Sequence, residues 1–184
     1  MKRPTPEEGQ PESDVYPGAR PPRLAPRLIG HEAAASEMLD AYRSGRLAHA
    51  WLIAGPEGVG KATLAWAFAR FVLAHPDPRA PEVAAAVDLS VPEDHPAARA
   101  LAGHAHPDFA LLRREPNPKS KGFFTEIRID DVRAMQATFR LAPGLGGWRV
   151  ALVDSADDLN RAGANALLKT IEEPPERALI LIVA

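Results

Sequence analysis

The stretch Ala50-Trp51-Leu52-Ile53-Ala54-Gly55-Pro56-Glu57-Gly58-Val59-Gly60-Lys61-Ala62-Thr63 decides the fold. Its first five residues form a short apolar run that stops at a glycine, the pattern of a strand buried on both faces of a parallel sheet. Gly55, Gly58 and Gly60 follow as a loop whose backbone amides can turn inward. Beyond Lys61 the residues Leu64, Ala67, Phe68, Phe71 and Val72 recur at helical spacing, predicting a helix over 60–74 closed by His75-Pro76. Strand, glycine loop and a helix opening on a lysine are the setting of a phosphate-binding loop. The amides cradle a phosphate, the helix N-terminus adds positive potential, and the lysine reaches the terminal oxygens.

Two positions depart from a working nucleotide site. The last loop position needs a Ser or Thr hydroxyl to ligate magnesium, and here it is Ala62; Thr63 lies one residue on, about 100° around the helix. The apolar run Trp148 to Asp154 predicts a second buried strand, with its terminal acid where a P-loop protein orients the magnesium shell. The next residue should be a glutamate that polarises water, but Ser155 cannot accept a proton near neutral pH. Asp157 and Asp158 read as solvated residues at a helix start. The expectation is a degenerate site at Gly55, Gly58, Gly60, Lys61, Ala62, Thr63, Asp154 and Ser155, with no catalytic residue, no required cofactor, and ATP with magnesium held weakly.

The remaining text continues the alternation. His31 to about Leu47 carries Ala34, Ala35, Met38, Leu39 and Tyr42 at helical spacing and ends near Ser44-Gly45. Phe109 to Leu112 is a strand, Arg113 to Gly122 a polar loop, and Glu126 to Ile129 a short extended piece. Asp130 or Asp131 is expected to cap a helix running to about Arg140. Asn160 to Glu173 is a helix stopped by Pro174-Pro175, and Ala178 to Val183 a last strand. Between them, 76–107 lacks a clear period and is expected to be irregular, with one short helix around 97–101. Strands alternating with helices predict an α/β domain with a parallel sheet over 28–184. Residues 1–27 hold seven prolines and almost no apolar periodicity, and are expected to be a disordered arm.

Composition bounds the rest. With 184 residues, 46% hydrophobic and 25% charged, the chain can bury one core. A net charge of -2 supplies no excess of cations for binding nucleic acid directly. The absence of cysteine excludes disulfides and thiolate zinc sites; His95, His104 and His106 read as ordinary exposed imidazoles, and no zinc is expected. No apolar run reaches the roughly 18 residues of a membrane span, and no signal peptide opens the chain, so a cytoplasmic location is expected.

The segment Ala164-Asn165-Ala166-Leu167-Leu168-Lys169-Thr170-Ile171-Glu172-Glu173-Pro174-Pro175 closely resembles the signature of bacterial DNA polymerase III clamp-loader subunits, which are AAA+ P-loop proteins. Leu47-Ala48-His49-Ala50-Trp51-Leu52, His106-Pro107-Asp108-Phe109 and Ile129-Asp130-Asp131-Val132-Arg133 are similar to other segments of that family, so the likeness runs from about His31 to Ala184. The resemblance implies a three-layer AAA+ sandwich, truncated here before the family's lid and collar domains. Ala62 and Ser155 resemble the delta-prime branch, whose nucleotide site is commonly degenerate. What this implies is a mainly structural subunit, with gamma/tau and delta partners, of the complex that loads the sliding clamp on primed DNA in replication. The alternative is a gamma/tau-like subunit that binds and hydrolyses ATP. Asn165, Leu167, Leu168, Lys169, Glu172, Glu173 and Pro174 are then expected to shape the signature helix and its exit toward a neighbour. The four-cysteine zinc module of many family members has no counterpart in 76–106.

Overall fold

The computed structural model describes residues 12–15 and 18–184. The apolar runs read from sequence become four parallel strands: β1 (Ala50–Ile53), β2 (Phe109–Leu112), β3 (Arg149–Asp154) and β4 (Ala178–Val183), ordered β1-β4-β3-β2 across the sheet. Side chains alternate faces along a strand, so the runs feed two cores, but β1, read as buried on both faces, lies at the sheet edge with Leu52 67% exposed. Val150, Leu152, Leu179 and Leu181 face one layer, whereas Ala151, Val153, Ala178 and Ile180 face the other. The first layer holds α1 (Glu32–Arg43), α2 (Lys61–Ala74), α3 (Pro81–Ala85) and α4 (Pro96–Ala102); the second holds α5 (Ile129–Phe139) and α6 (Arg161–Glu172). The result is the three-layer α/β architecture with a parallel sheet that the sequence predicts.

Helix α2 anchors the first core. Trp66, Phe68 and Phe71 are almost wholly removed from water, each contributing on the order of 2–3 kcal/mol of burial. Around the amino ends of the strands, buried charges organise the backbone. The Asp108 carboxylate accepts from the amides of Gly144 (2.6 Å) and Leu145 (3.0 Å). Arg149 donates to the carbonyls of Phe139, Leu141 and Glu176. Both charges are thereby hydrogen-bonded where water is excluded.

Several expectations differ from what forms. Helix α3 arises in the stretch read as irregular, because one residue, Val83, plugs the core, and a single anchor leaves no period to read. Helix α4 extends beyond 97–101 because the His95 ring caps it, accepting from the Ala97 amide at 3.2 Å. The piece at 126–129 makes no strand; Ile127 forms only an isolated bridge with Leu159. Helix α5 begins at Ile129 with Arg128 as its cap residue, so Asp130 and Asp131 sit inside the first turn. There they favour the helix dipole and pair with Arg133 (3.4 Å) and Arg128 (3.1 Å) instead of capping. Helix α6 begins one residue later than read, because Asn160 caps it, Oδ1 accepting from the Gly163 amide at 2.8 Å.

The arm and the histidines also depart from the sequence reading. Of 1–27, residues 1–11, 16 and 17 lie outside the described residues. Among the others, Pro22–Leu24 forms a 3-10 turn against α2, and Arg70 donates to the carbonyls of Arg23 (2.8 Å) and Ala25 (3.4 Å). Composition measures apolar burial, and this segment is held by charge and hydrogen bonds instead. His106 is buried, its Nδ1 accepting from the Asp108 amide at 3.2 Å. His104 receives Arg23 Nε at 2.7 Å and lies edge-on to Trp66. Burial lowers the pKa of both rings.

Candidate functional site

The glycine loop leaves β1 at the carboxyl edge of the sheet. Gly58 and Gly60 adopt left-handed backbone angles (φ 79° and 95°) that side chains disfavour, and a Cβ on Gly60 would sit 3.3 Å from the His31 ring. That ring lies 2.6 Å from the Val59 carbonyl, holding the loop to the start of α1. Gly60 caps α2 without a side chain, so the first-turn amides face outward with no capping side chain, as phosphate binding requires. Lys61 Nζ folds back onto the loop, donating to the carbonyls of Gly55 (2.5 Å) and Pro56 (2.8 Å). Ala62 and Thr63 follow on the helix, both half-buried.

At the end of β3, Asp154 pairs with Val183 of β4. Its Oδ2 is out of contact with water and has no hydrogen-bond partner among the described residues. Burial, and after it the nearby Asp14 carboxylate, push the Asp154 carboxyl from its ordinary 3.8 up to about 7; Asp158 adds to this, while Arg113 and Lys61 oppose it. Ser155 leads into a 3-10 turn, Ala156–Asp158, whose Asp158 is engaged by Arg114 at 3.0 Å. Asp157 is exposed.

Beside this edge lies a cluster that sequence reasoning missed. Leu112 of β2 pairs with Val153, so the next residue on each strand is Arg113 and Asp154. Arg113 is buried and engages both Glu12, at 2.6 Å, and Asp14, whose side chain is only 2% exposed. Glu12 also pairs with Arg23 at 2.6 Å, and Ser13 Oγ donates to the Arg114 carbonyl at 2.8 Å. Burial raises the Glu12 carboxyl, but the hydrogen bond and charge of Arg113, with Arg23 and His104, outweigh it and leave the group below its ordinary value. Burial likewise lowers Arg113, and its two carboxylates more than reverse this. The one available signal was positional: Arg113 ends an apolar strand as Asp154 does.

The residues of the signature stand apart from this edge, on the other layer. Leu167 is buried in the second core, whereas Leu168 is 50% exposed and shares the outer face of α6 with Asn165, Lys169 and Glu172. Glu173 and Pro174 are exposed just past the helix. Gln136 of α5 ties α6 down by donating to the Ala166 carbonyl (2.7 Å) and Thr170 Oγ1 (2.9 Å). His49 Nε2 lies 2.8 Å from the Ile171 carbonyl, joining the end of α6 to the approach to β1.

Chemically, the loop amides and Lys61 can receive phosphate oxygens. To a divalent cation the same edge offers one buried carboxylate, its pKa pushed up to about 7 by burial, and no hydroxyl at position 62. Among the described residues no cluster of three or more metal-ligating side chains forms, and no helix is long and apolar enough to cross a membrane.

The family model for DNA polymerase III, delta subunit, matches residues 30–184. The DNA polymerase III subunit delta' of Pseudomonas aeruginosa is 34% identical over 137 residues, covering 74% of this chain and 37% of the relative. That of Escherichia coli is 30% identical over 145 residues, covering 76% and 37%. The subunit gamma/tau of Mycobacterium bovis is 30% identical over 167 residues, covering 91% of this chain and 26% of the relative. The chain thus spans little more than a third of the delta' relatives and about a quarter of the gamma/tau one.

Proposed function

The chain belongs to the DNA polymerase III delta subunit family, and on that footing we propose that it is a delta-prime-type subunit of the bacterial clamp loader, acting mainly as a structural member. The observation that carries this reading is the chemistry at the carboxyl edge of the sheet. A glycine loop at 55–61 suited to phosphate is paired with Ala62 and Ser155, beside an Asp154 whose pKa burial pushes up to about 7. Hydrolysis needs a cation ligated beside the terminal phosphate and a carboxylate to take a proton from water. Ala62 and Ser155 each lack the group that step needs, and burial disfavours the charged form of the one carboxylate present, Asp154.

The gamma/tau-like reading would require a displaced base. Of the two nearby acids, Asp157 is exposed and the Asp158 carboxylate is engaged by Arg114. The site could still hold a nucleotide weakly through the loop amides and Lys61, without turning it over. No zinc is needed, since the thiolates that build such a module are absent.

In this reading the subunit works in the cytoplasm through protein contacts with gamma/tau and delta, and meets the sliding clamp and primed DNA through them. The outward face of α6, with Asn165, Leu168, Lys169 and Glu172, is its contact surface, and Glu173 with Pro174 directs the chain away from it. Two measurements test the proposal. Purified protein with magnesium and ATP is expected to show no turnover above background; a rate of about one per second, ordinary for an enzyme, would reject a structural role. The full-length protein is expected to co-elute with purified gamma/tau and delta on gel filtration, and separate elution would reject the assembly.

A further inference from the structure

Near the carboxyl end of α2, away from the glycine loop, a cavity of about 210 Å3 opens between the Pro22–Leu24 turn, α2 and α4. Arginines line it from three directions: Arg20 from the arm, Arg70 from α2 and Arg99 from α4. The only carboxylate on its wall is Glu93, and among the described residues none lies within ion-pair distance of these three. Arg23 lines it too. Its charge is met by Glu12. Burial lowers the pKa of Arg70, with Glu93 partly offsetting this, so its cation is held in an unfavourable place.

We infer that this cavity is a binding site for a phosphate-type oxyanion, held by the guanidinium groups of Arg20, Arg70 and Arg99. Guanidinium groups recognise oxyanions through paired, charge-assisted hydrogen bonds, and the apolar wall at Val91 and Ala98 lowers the local dielectric that would weaken them. The volume is below the roughly 300–1,000 Å3 of pockets that enclose drug-sized ligands, so the site takes an anionic group and not a whole nucleotide. An anion here bridges the arm to α2 and α4, fastening the segment whose Asp14 reaches the Asp154 edge. The inference is independent of the clamp-loader reading.

The group has two possible sources, free phosphate or the backbone of a single-stranded nucleic acid. Both are tested by following the arginine Nε–Hε resonances by NMR at low salt, in one titration with orthophosphate and in another with a short thymidine oligonucleotide lacking a terminal phosphate. Saturable shifts are expected at Arg70 and Arg99, separate from any at the Gly58 to Lys61 amides. Saturation with orthophosphate identifies a free anion, and saturation with the oligonucleotide alone a backbone phosphate. Arg99→Gln, at an exposed position, should weaken binding roughly two- to fivefold, as for one partly exposed ion pair. Arg70→Gln combined with Arg99→Gln should abolish it. Absence of saturable shifts with both probes, or an affinity unchanged by Arg99→Gln, overturns the inference.

Discussion

Replacing Asp154 by Asn should stabilise the fold at about pH 8 and leave it nearly unchanged at about pH 4. The folded protein holds this carboxyl at about 7 against an ordinary 3.8, chiefly through burial and then through the Asp14 carboxylate. Between those values the unfolded chain releases a proton that the folded chain keeps, so stability falls as the pH rises through the window, and above it the loss is constant. The full difference corresponds to ~4 kcal/mol, at about 1.36 kcal/mol for each tenfold change in proton affinity. Water reaching a half-buried carboxylate roughly halves that, leaving about 2 kcal/mol. Asparagine keeps the shape and removes the charge, so it should recover this amount, a rise in melting temperature of about 4–8 °C for a chain of this size. Urea titrations of both proteins at the two pH values, followed by tryptophan fluorescence, measure the effect. An equal shift at both, or a loss of stability at the higher pH, would mean that Asp154 is comfortably ionised. It would then be available to a metal at neutral pH, against the reasoning for a weak magnesium site.

Arg113→Met should cost on the order of 3–5 kcal/mol near neutral pH, because it leaves Glu12 and Asp14 buried without their cation. Glu12 sits below its ordinary 4.5, so its contribution is present above that value and is lost as the pH falls through the folded one; the cost of the substitution should shrink there. Urea midpoints on either side of the carboxylate range measure this, and unchanged stability at neutral pH would show that the arm contact does not form. On α6, Leu167→Ala should cost about 2–5 kcal/mol and Leu168→Ala no more than about 0.5 kcal/mol. Similar losses from the two would contradict their placement on opposite faces of the helix.

The strands were legible because a strand buried on both faces must be apolar at every position, and Phe109–Leu112 and Ala178–Val183 form at the bounds their runs predict. Helix α2 was equally plain, since its large apolar residues recur at helical spacing from Leu64 to Val72. Helix α3, with one buried anchor, offered no periodicity. For α5 the residue types were right and the register was not: two adjacent aspartates each suit a cap, and only the packing of Val132, Met135 and Phe139 determines which turn they occupy.

The family, too, was legible, because its signature at 164–175 is contiguous, as are the glycine loop and the acid ending β3. By itself the sequence determined the layered α/β fold, the glycine loop between β1 and α2, and the absence of a hydroxyl at 62 and a glutamate at 155, all of them matters of which residue types follow one another along a few turns or strands. Only the tertiary structure decided the charge state of Asp154 and the attachment of the arm. Arg113 meets Glu12 and Asp14 across 101 and 99 positions of chain, and the electrostatic energy of such groups depends on distance through space and on exclusion of water, neither of which is written in the order of the residues.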